Sequence, residues 1–273
     1  MNEIPLVFGS DRHLVGTLTL PSTPAPRPVA FLLINAGVIH RIGPHRVNVK
    51  LARHLASLGH ATLRFDLSGQ GDSRNPQSVA DFTQQAVADL RAAMDHLGRT
   101  VDVHRFAIAG ICSGADNGWA AALADPRVAG LCLIDGYPYP TPKTRWVRWR
   151  RRLGGPILKA LGPWILRRVR GFLVRPAAGS PAEVPNGRAF PDREAYARDM
   201  QALVDRGVRL LLLFTGSLLP LYNYQEQFDE AFAGHAFVGK VDAQYCPDLD
   251  HTVTPLGAQQ ELLRRVGDWA RTL

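Results

Sequence analysis

The sequence predicts an α/β fold in which helices flank a mostly parallel sheet of eight strands. Three observations carry this expectation. Strand-like and helix-like stretches alternate at regular intervals from Val29 to Ile134, and again from Val208 to the C-terminus. Several strands are continuous apolar runs, as expected of strands buried on both faces: VAFLLI at Val29–Ile34 and VRLLLLFT at Val208–Thr215. The rhythm stops once, after Asp135, and resumes at Val208, which marks one insertion.

In chain order, two β-rich runs open the sequence, Ile4–Phe8 and His13–Leu20, the second partly alternating as a strand with one wet face does. After Val29–Ile34, a helix is expected over Pro44–Leu58, with Val47, Leu51, Leu55 and Leu58 at helical spacing and Gly59 ending it. A strand at Ala61–Phe65 leads into the turn-rich run DLSGQGDSRN, Asp66–Asn75, and then a helix over Val79–Leu97. The strand Arg105–Ala109 passes into a helix of small residues that stops at Asp125-Pro126, followed by the strand Val128–Ile134. Beyond the insertion, the expected elements are the strand Val208–Thr215, a helix near Tyr222–Ala233, a strand near Val238–Tyr245 and a last helix, Pro255–Thr272. There is no internal repeat and no low-complexity tract.

Composition narrows the class. A hydrophobic fraction of 46% and a charged fraction of 21% over 273 residues describe an ordinary globular chain with one insertion. The three cysteines, Cys112, Cys132 and Cys246, are an odd number in a large chain and argue against a disulfide framework. The first residues lack a basic start followed by an apolar run, so no signal peptide is expected. The longest apolar stretch, Leu210–Tyr222, is broken by Thr215, Gly216, Ser217 and Pro220, and is shorter than the roughly 20 residues a bilayer requires. A reducing cytoplasm is therefore the expected location. The formal net charge of +8 is uneven: between Gly136 and Ala182 lie eleven Lys or Arg residues and no acids, and the rest of the chain is net acidic.

The most informative residues are AGICSGA, Ala109–Ala115, where a buried strand gives way to a helix. A nucleophile on so sharp a turn needs small residues two before and two after it, because the flanking chain passes close by. Gly110 and Gly114 have that spacing around Cys112, whereas a turn centred on Ser113 would put Ile111 at a flank. The pattern is G-x-C-x-G. The helix N-terminus there favours a thiolate. The plainer reading is that Cys112 is a small buried hydrophobe. Asp116, on the first helical turn, complements the helix dipole.

With these motifs in order the chain resembles the α/β-hydrolase superfamily. Asn35-Ala36-Gly37-Val38 follows the third strand, where that family builds its oxyanion hole. Asp66–Ser73 looks like its D-x-x-G-x-G-x-S loop, and Asp250-His251 lies after the last strand, where the family keeps its histidine. The resemblance covers nearly the whole chain except the basic insertion. Within the superfamily the chain is most similar to small hydrolases of exopolysaccharide and exosortase systems, including the long loop Val38–His45. The resemblance implies an α/β-hydrolase fold with a helical lid after strand six: a core of residues 1–136 and 206–273, and a basic cap of residues 137–205.

It also implies roles. Cys112 is the expected nucleophile and His251 the base, in the family's chain order. The backbone N–H groups of Ser113 and Val38 are the expected oxyanion donors. The chain departs from the family at the acid: Ser217, Leu218 and Leu219 stand after strand seven, where a carboxylate is usual. Asp135, at the carboxyl end of strand six, is the favoured substitute, with Asn223 and Glu226 in reserve. His40, His45, Trp146 and Tyr137 are candidate substrate contacts. No metal-ligand spacing is present, and no cofactor is expected.

In the insertion, Trp146, Trp149 and Leu153 recur at helical spacing beside Arg145, Arg148 and Arg152. A second helix is expected over Pro156–Val169, with Trp164, Arg167 and Arg168. Such a face suits a pocket-covering lid, an anionic membrane surface or an acidic acyl-carrier protein. Nucleic acid fits poorly, since no reading helix accompanies the arginines. Three functions follow: an esterase or thioesterase acting on a small or carrier-bound acyl substrate; an acyltransferase or cyclase passing the acyl group to an amine, alcohol or carbon nucleophile; and a non-catalytic binding protein on the same scaffold.

Overall fold

The computed structural model of the chain describes residues 2–22, 27–76, 81–153 and 190–273. Its centre is one sheet of eight strands: β1 (Asn2–Phe8), β2 (Leu14–Leu20), β3 (Val29–Ile34), β4 (Thr62–Phe65), β5 (Arg105–Ile111), β6 (Val128–Ile134), β7 (Arg209–Thr215) and β8 (Asp242–Cys246). They are ordered β1-β2-β4-β3-β5-β6-β7-β8. β1 and β2 form an antiparallel hairpin, β2 pairs antiparallel with β4, and all other pairs are parallel.

The order reverses between β3 and β5. The chain leaves β3 toward β4 on one side and returns to β5 on the other, opening a crevice at their carboxyl ends. The register brings the strand ends level: Ile34 pairs with Gly110, Ile111 with Ile134, Ile134 with Leu213, and Thr215 with Cys246.

Helices α1 (Val47–Ser57), α2 (Phe82–Val101), α3 (Ser113–Ala124), α4 (Pro142–Leu153), α5 (Arg193–Asp205), α6 (Gln227–Ala231) and α7 (Leu256–Ala270) complete the described elements. Strand alternation divides the core into two layers. Phe106 and Ile108 of β5 join Leu90, Met94 and Leu97 of α2, Trp119 of α3 and Met200 of α5 on one face. Ala107, Ala109 and Ile111 join Leu51 and Leu55 of α1 with Leu262, Val266 and Trp269 of α7 on the other.

Some boundaries differ from expectation for local reasons. The stretch expected to open the first helix, Pro44–Arg46, is a separate 3-10 turn, because His45 and Arg46 take left-handed φ of 50° and 61°. α2 starts at Phe82, where the Asp81 carboxylate caps it by accepting from the Thr83 and Gln84 N–H groups. The helix expected at Tyr222–Ala233 is shorter, α6, and the Asn223 N–H before it is taken by the Gln227 side chain. β8 begins only at Asp242, with Phe237 and Val241 before it filling the core.

α5 has no counterpart among the sequence expectations, where its residues fall inside the basic insertion. Asp192 caps it, and Tyr196, Met200 and Leu203 are buried along one face. The Tyr196 ring stacks on Trp119 of α3 at 4.4 Å. Through this face the helix joins the core layer. The second insertion helix, at Pro156–Val169, lies outside the described residues. Among the described residues no helix is long and apolar enough to cross a membrane.

Candidate active site

The turn between β5 and α3 is built by its glycines. Cys112 has φ 55° and ψ −121°, a backbone that side-chain-bearing residues rarely adopt. Its N–H is anchored on the Ile134 carbonyl at 2.9 Å, and its own carbonyl accepts from the Ala115 N–H, also at 2.9 Å. A Cβ on Gly110 would run into the Gly114 carbonyl, and one on Gly114 would lie 2.6 Å from the Asn35 oxygen. Both flanks must therefore be bare, and the point of the elbow is Cys112.

The three residues expected to work together meet here, although they are far apart in sequence. His251 Nδ1 lies 2.6 Å from Asp135 Oδ2. The Cys112 side chain is the second group that acts on the imidazole. With Nδ1 committed to Asp135, Nε2 is the nitrogen left for the sulfur. The Asp135 hydrogen bond, then Cys112, raise the His251 imidazolium to about 10, against the opposing effect of burial.

Asp135 is held as firmly as the cysteine. It is 1% exposed and has a left-handed φ of 51°. Its Oδ1 accepts the Thr215 N–H and its Oδ2 the Thr215 hydroxyl, both at 2.8 Å. Ser217 stands where a carboxylate was sought, and its hydroxyl accepts the His251 N–H at 2.8 Å. Thr215 and Ser217 are residues that the sequence expectations missed. The signal was their position at the end of β7, beside the vacant acid position.

The reserve positions face elsewhere. The Asn223 amide donates to the carbonyls of Thr144 and Leu219, and Glu226 pairs with Lys143 of α4. On the β3 side, the Ser113 hydroxyl accepts the Gly37 N–H at 2.6 Å, tying the elbow to the turn after β3. Val38 is 83% exposed in that turn. Asn35 braces it by donating to the His40 carbonyl and accepting from Asn48, each at 2.7 Å.

Arg41 joins this loop to the Asp66–Ser73 loop. Its guanidinium reaches Asp66 at 2.5 Å and Asp72 at 2.7 Å. His40 also contacts Asp72, at 3.2 Å. His40, Asp66 and Asp72 are grouped closely enough to ligate a cation, but the Arg41 guanidinium already bonds both carboxylates. His45 is exposed in its left-handed turn. The Tyr137 ring packs edge-on against Tyr196 and Phe190. Trp146 stands exposed on α4, away from these contacts.

The alpha/beta hydrolase family profile matches residues 37–269. This chain belongs to the alpha/beta hydrolase family. The hydrolase resembles several solved structures at low identity. A serine hydrolase without a lid from Xanthomonas campestris is 15% identical, with a TM-score of 0.58 over 100% of this chain and 95% of that one. An esterase from Pyrococcus furiosus is also 15% identical, with a TM-score of 0.58 over 99% and 90%. An epoxide hydrolase from Vigna radiata is 16% identical, with a TM-score of 0.55 over 100% and 98%. At these identities the likeness is one of fold. No curated protein matches the hydrolase in sequence.

Proposed function

We propose that the protein is an acyl-transfer hydrolase, an esterase or thioesterase, with Cys112 as nucleophile, His251 as acid and base, and Asp135 as the residue that orients His251. The observation that carries this reading is the contact of His251 with both the elbow cysteine and the buried Asp135.

The proton affinity of His251 explains the first step. An imidazolium beside the sulfur favours the thiolate, which is the attacking species. The sulfur forms a bond to the acyl carbon, and the carbonyl oxygen becomes an oxyanion received by backbone N–H groups of Ser113 and of the Ala36–Val38 turn. Collapse breaks the bond to the leaving alcohol or thiol, which takes its proton from His251. Acylation also removes the anionic sulfur, one of the two groups that raise the imidazolium, so His251 releases that proton more readily as the reaction proceeds. Neutral His251 then takes a proton from water, the hydroxide adds to the thioester, and the C–S bond breaks to give the carboxylic acid and the thiolate.

A thioester intermediate is also open to amines, so transfer to another nucleophile is the second reading. The basic stretch between β6 and α5 is proposed as the cap, and α4 belongs to its described part. The contact of Asp135 with His251 favours catalysis over a binding-only scaffold.

Mass spectrometry after incubation with an activated acyl thioester tests the proposal. An adduct on Cys112 is expected, and none in Cys112→Ala. Asp135→Asn should lower turnover about 100-fold or more, by leaving the imidazolium without its counter-ion. Absence of an adduct, with unchanged turnover in Cys112→Ala, removes the proposal. The adduct's lifetime in water against that in added amine separates hydrolysis from transfer.

A further inference from the structure

Among the described residues, helix α4 is seated on the protein by one side. Thr144 is buried, and its carbonyl accepts the Asn223 amide at 3.1 Å. Lys143 pairs with Glu230 at 2.7 Å, and the Arg151 guanidinium donates to the Asn223 carbonyl at 3.3 Å. The outer side carries two indoles one turn apart, Trp146 at 54% exposure and Trp149 at 61%. The Arg150 guanidinium lies over the Trp146 ring, 5.4 Å from its centre. Trp146, Val147, Arg150 and Arg151 line a shallow cleft of about 420 Å³. The helix sequence, PKTRWVRWRRRL, contains no acidic residue.

We propose that this outer face of α4 docks on an anionic phospholipid surface. Exposed indoles flanked by arginine suit the headgroup level of a bilayer, where one edge of the ring is wet and its body is not. Guanidinium forks match phosphate oxygens in pairs, and the cleft sets that of Arg150 beside the apolar wall of Trp146 and Val147. The exposed indoles, more than the charge, favour a lipid surface over an acidic protein partner, since their rings suit the headgroup level while a leaflet of anionic lipid, negative over its whole area, takes the arginines. From Gly136 to Ala182 the chain has eleven basic residues and no acid to be repelled by such a surface. The proposal is independent of the chemistry at Cys112.

The test uses the full-length protein with vesicles of phosphatidylglycerol and phosphatidylcholine, read by co-sedimentation and tryptophan fluorescence. Binding to the anionic vesicles is expected, with a blue shift of emission and little binding to phosphatidylcholine alone. Raising the salt from about 0.05 M to about 0.5 M should weaken it strongly by screening. Trp149→Ala and the pair Arg145→Glu, Arg150→Glu should each reduce it about tenfold or more, with circular dichroism unchanged. Failure of the wild-type protein to bind anionic vesicles overturns the proposal, as does equal binding to neutral ones. Binding to an acidic acyl-carrier protein, without vesicle binding, would overturn it in favour of a protein partner.

Discussion

At the scale of single residues, one histidine connects the two halves of the site. Asp135 and Cys112 both act on the His251 ring, and both favour its charged form. The same coupling should make Cys112 the reactive thiol of the three. Cys132 and Cys246 are buried, and burial pushes both thiols up. At pH 6, iodoacetamide should modify wild-type Cys112 at least about tenfold faster than Cys112 in His251→Asn, and leave the other two cysteines intact. Peptide mapping against time measures this. Equal rates in the two proteins would show that the histidine does not activate the sulfur. Thr215 gives Asp135 its setting: two hydrogen bonds from one residue fix the carboxylate in a buried site that would otherwise disfavour its charge.

At the scale of elements, two cases show how context decides what a segment does. The elbow helix α3 starts where the chain must pass within van der Waals contact of the turn after β3, so position 114 has no room for a side chain. Helix α5 follows the basic stretch in sequence yet behaves as core. Met200 is fully buried there, in the core layer shared with α2 and α3. Met200→Ala should destabilise the protein by about 2–5 kcal/mol in urea unfolding, the usual range for truncating a buried methionine. A loss well under 1 kcal/mol would mean that α5 is not an integral part of the fold. The two-sided character of α4, pinned by Thr144 and Arg151 and bare at Trp146 and Trp149, is the counterpart case.

At the scale of the whole molecule, the strand order does the assembling. The turn after β3, the elbow after β5, Asp135 after β6, Thr215 ending β7 and His251 after β8 all lie at the carboxyl ends of the sheet's parallel strands. That assembly should leave a mark on stability. The folded His251 is raised above its ordinary value of 6.5 to about 10. A raised group favours the folded state most where it is protonated in both states. Its contribution is thus fully present below about 6.5 and disappears as the pH rises through about 10. The difference in Tm between wild type and His251→Asn should therefore be largest near pH 6 and shrink toward pH 10. A difference that grows with pH would contradict the charged pair.

The sequence by itself determined the sheet, its two covering layers and the elbow. Apolar runs, alternation and the spacing of Gly110 and Gly114 are local consequences of burial and of close backbone approach, and local patterns can be read from a chain. It also pointed to His251 and, through the vacant position after Gly216, to Asp135. The tertiary structure decided what depends on distance. It brought Asp135 and His251 to 2.6 Å across 116 residues of chain, turned Asn223 and Glu226 toward α4, and gave Thr215 and Ser217 their roles in holding the site. It also placed α5 in the core. The break in the strand–helix rhythm between Asp135 and Val208 places that helix in the insertion. Burial follows from which faces meet, and only the folded chain brings those faces together.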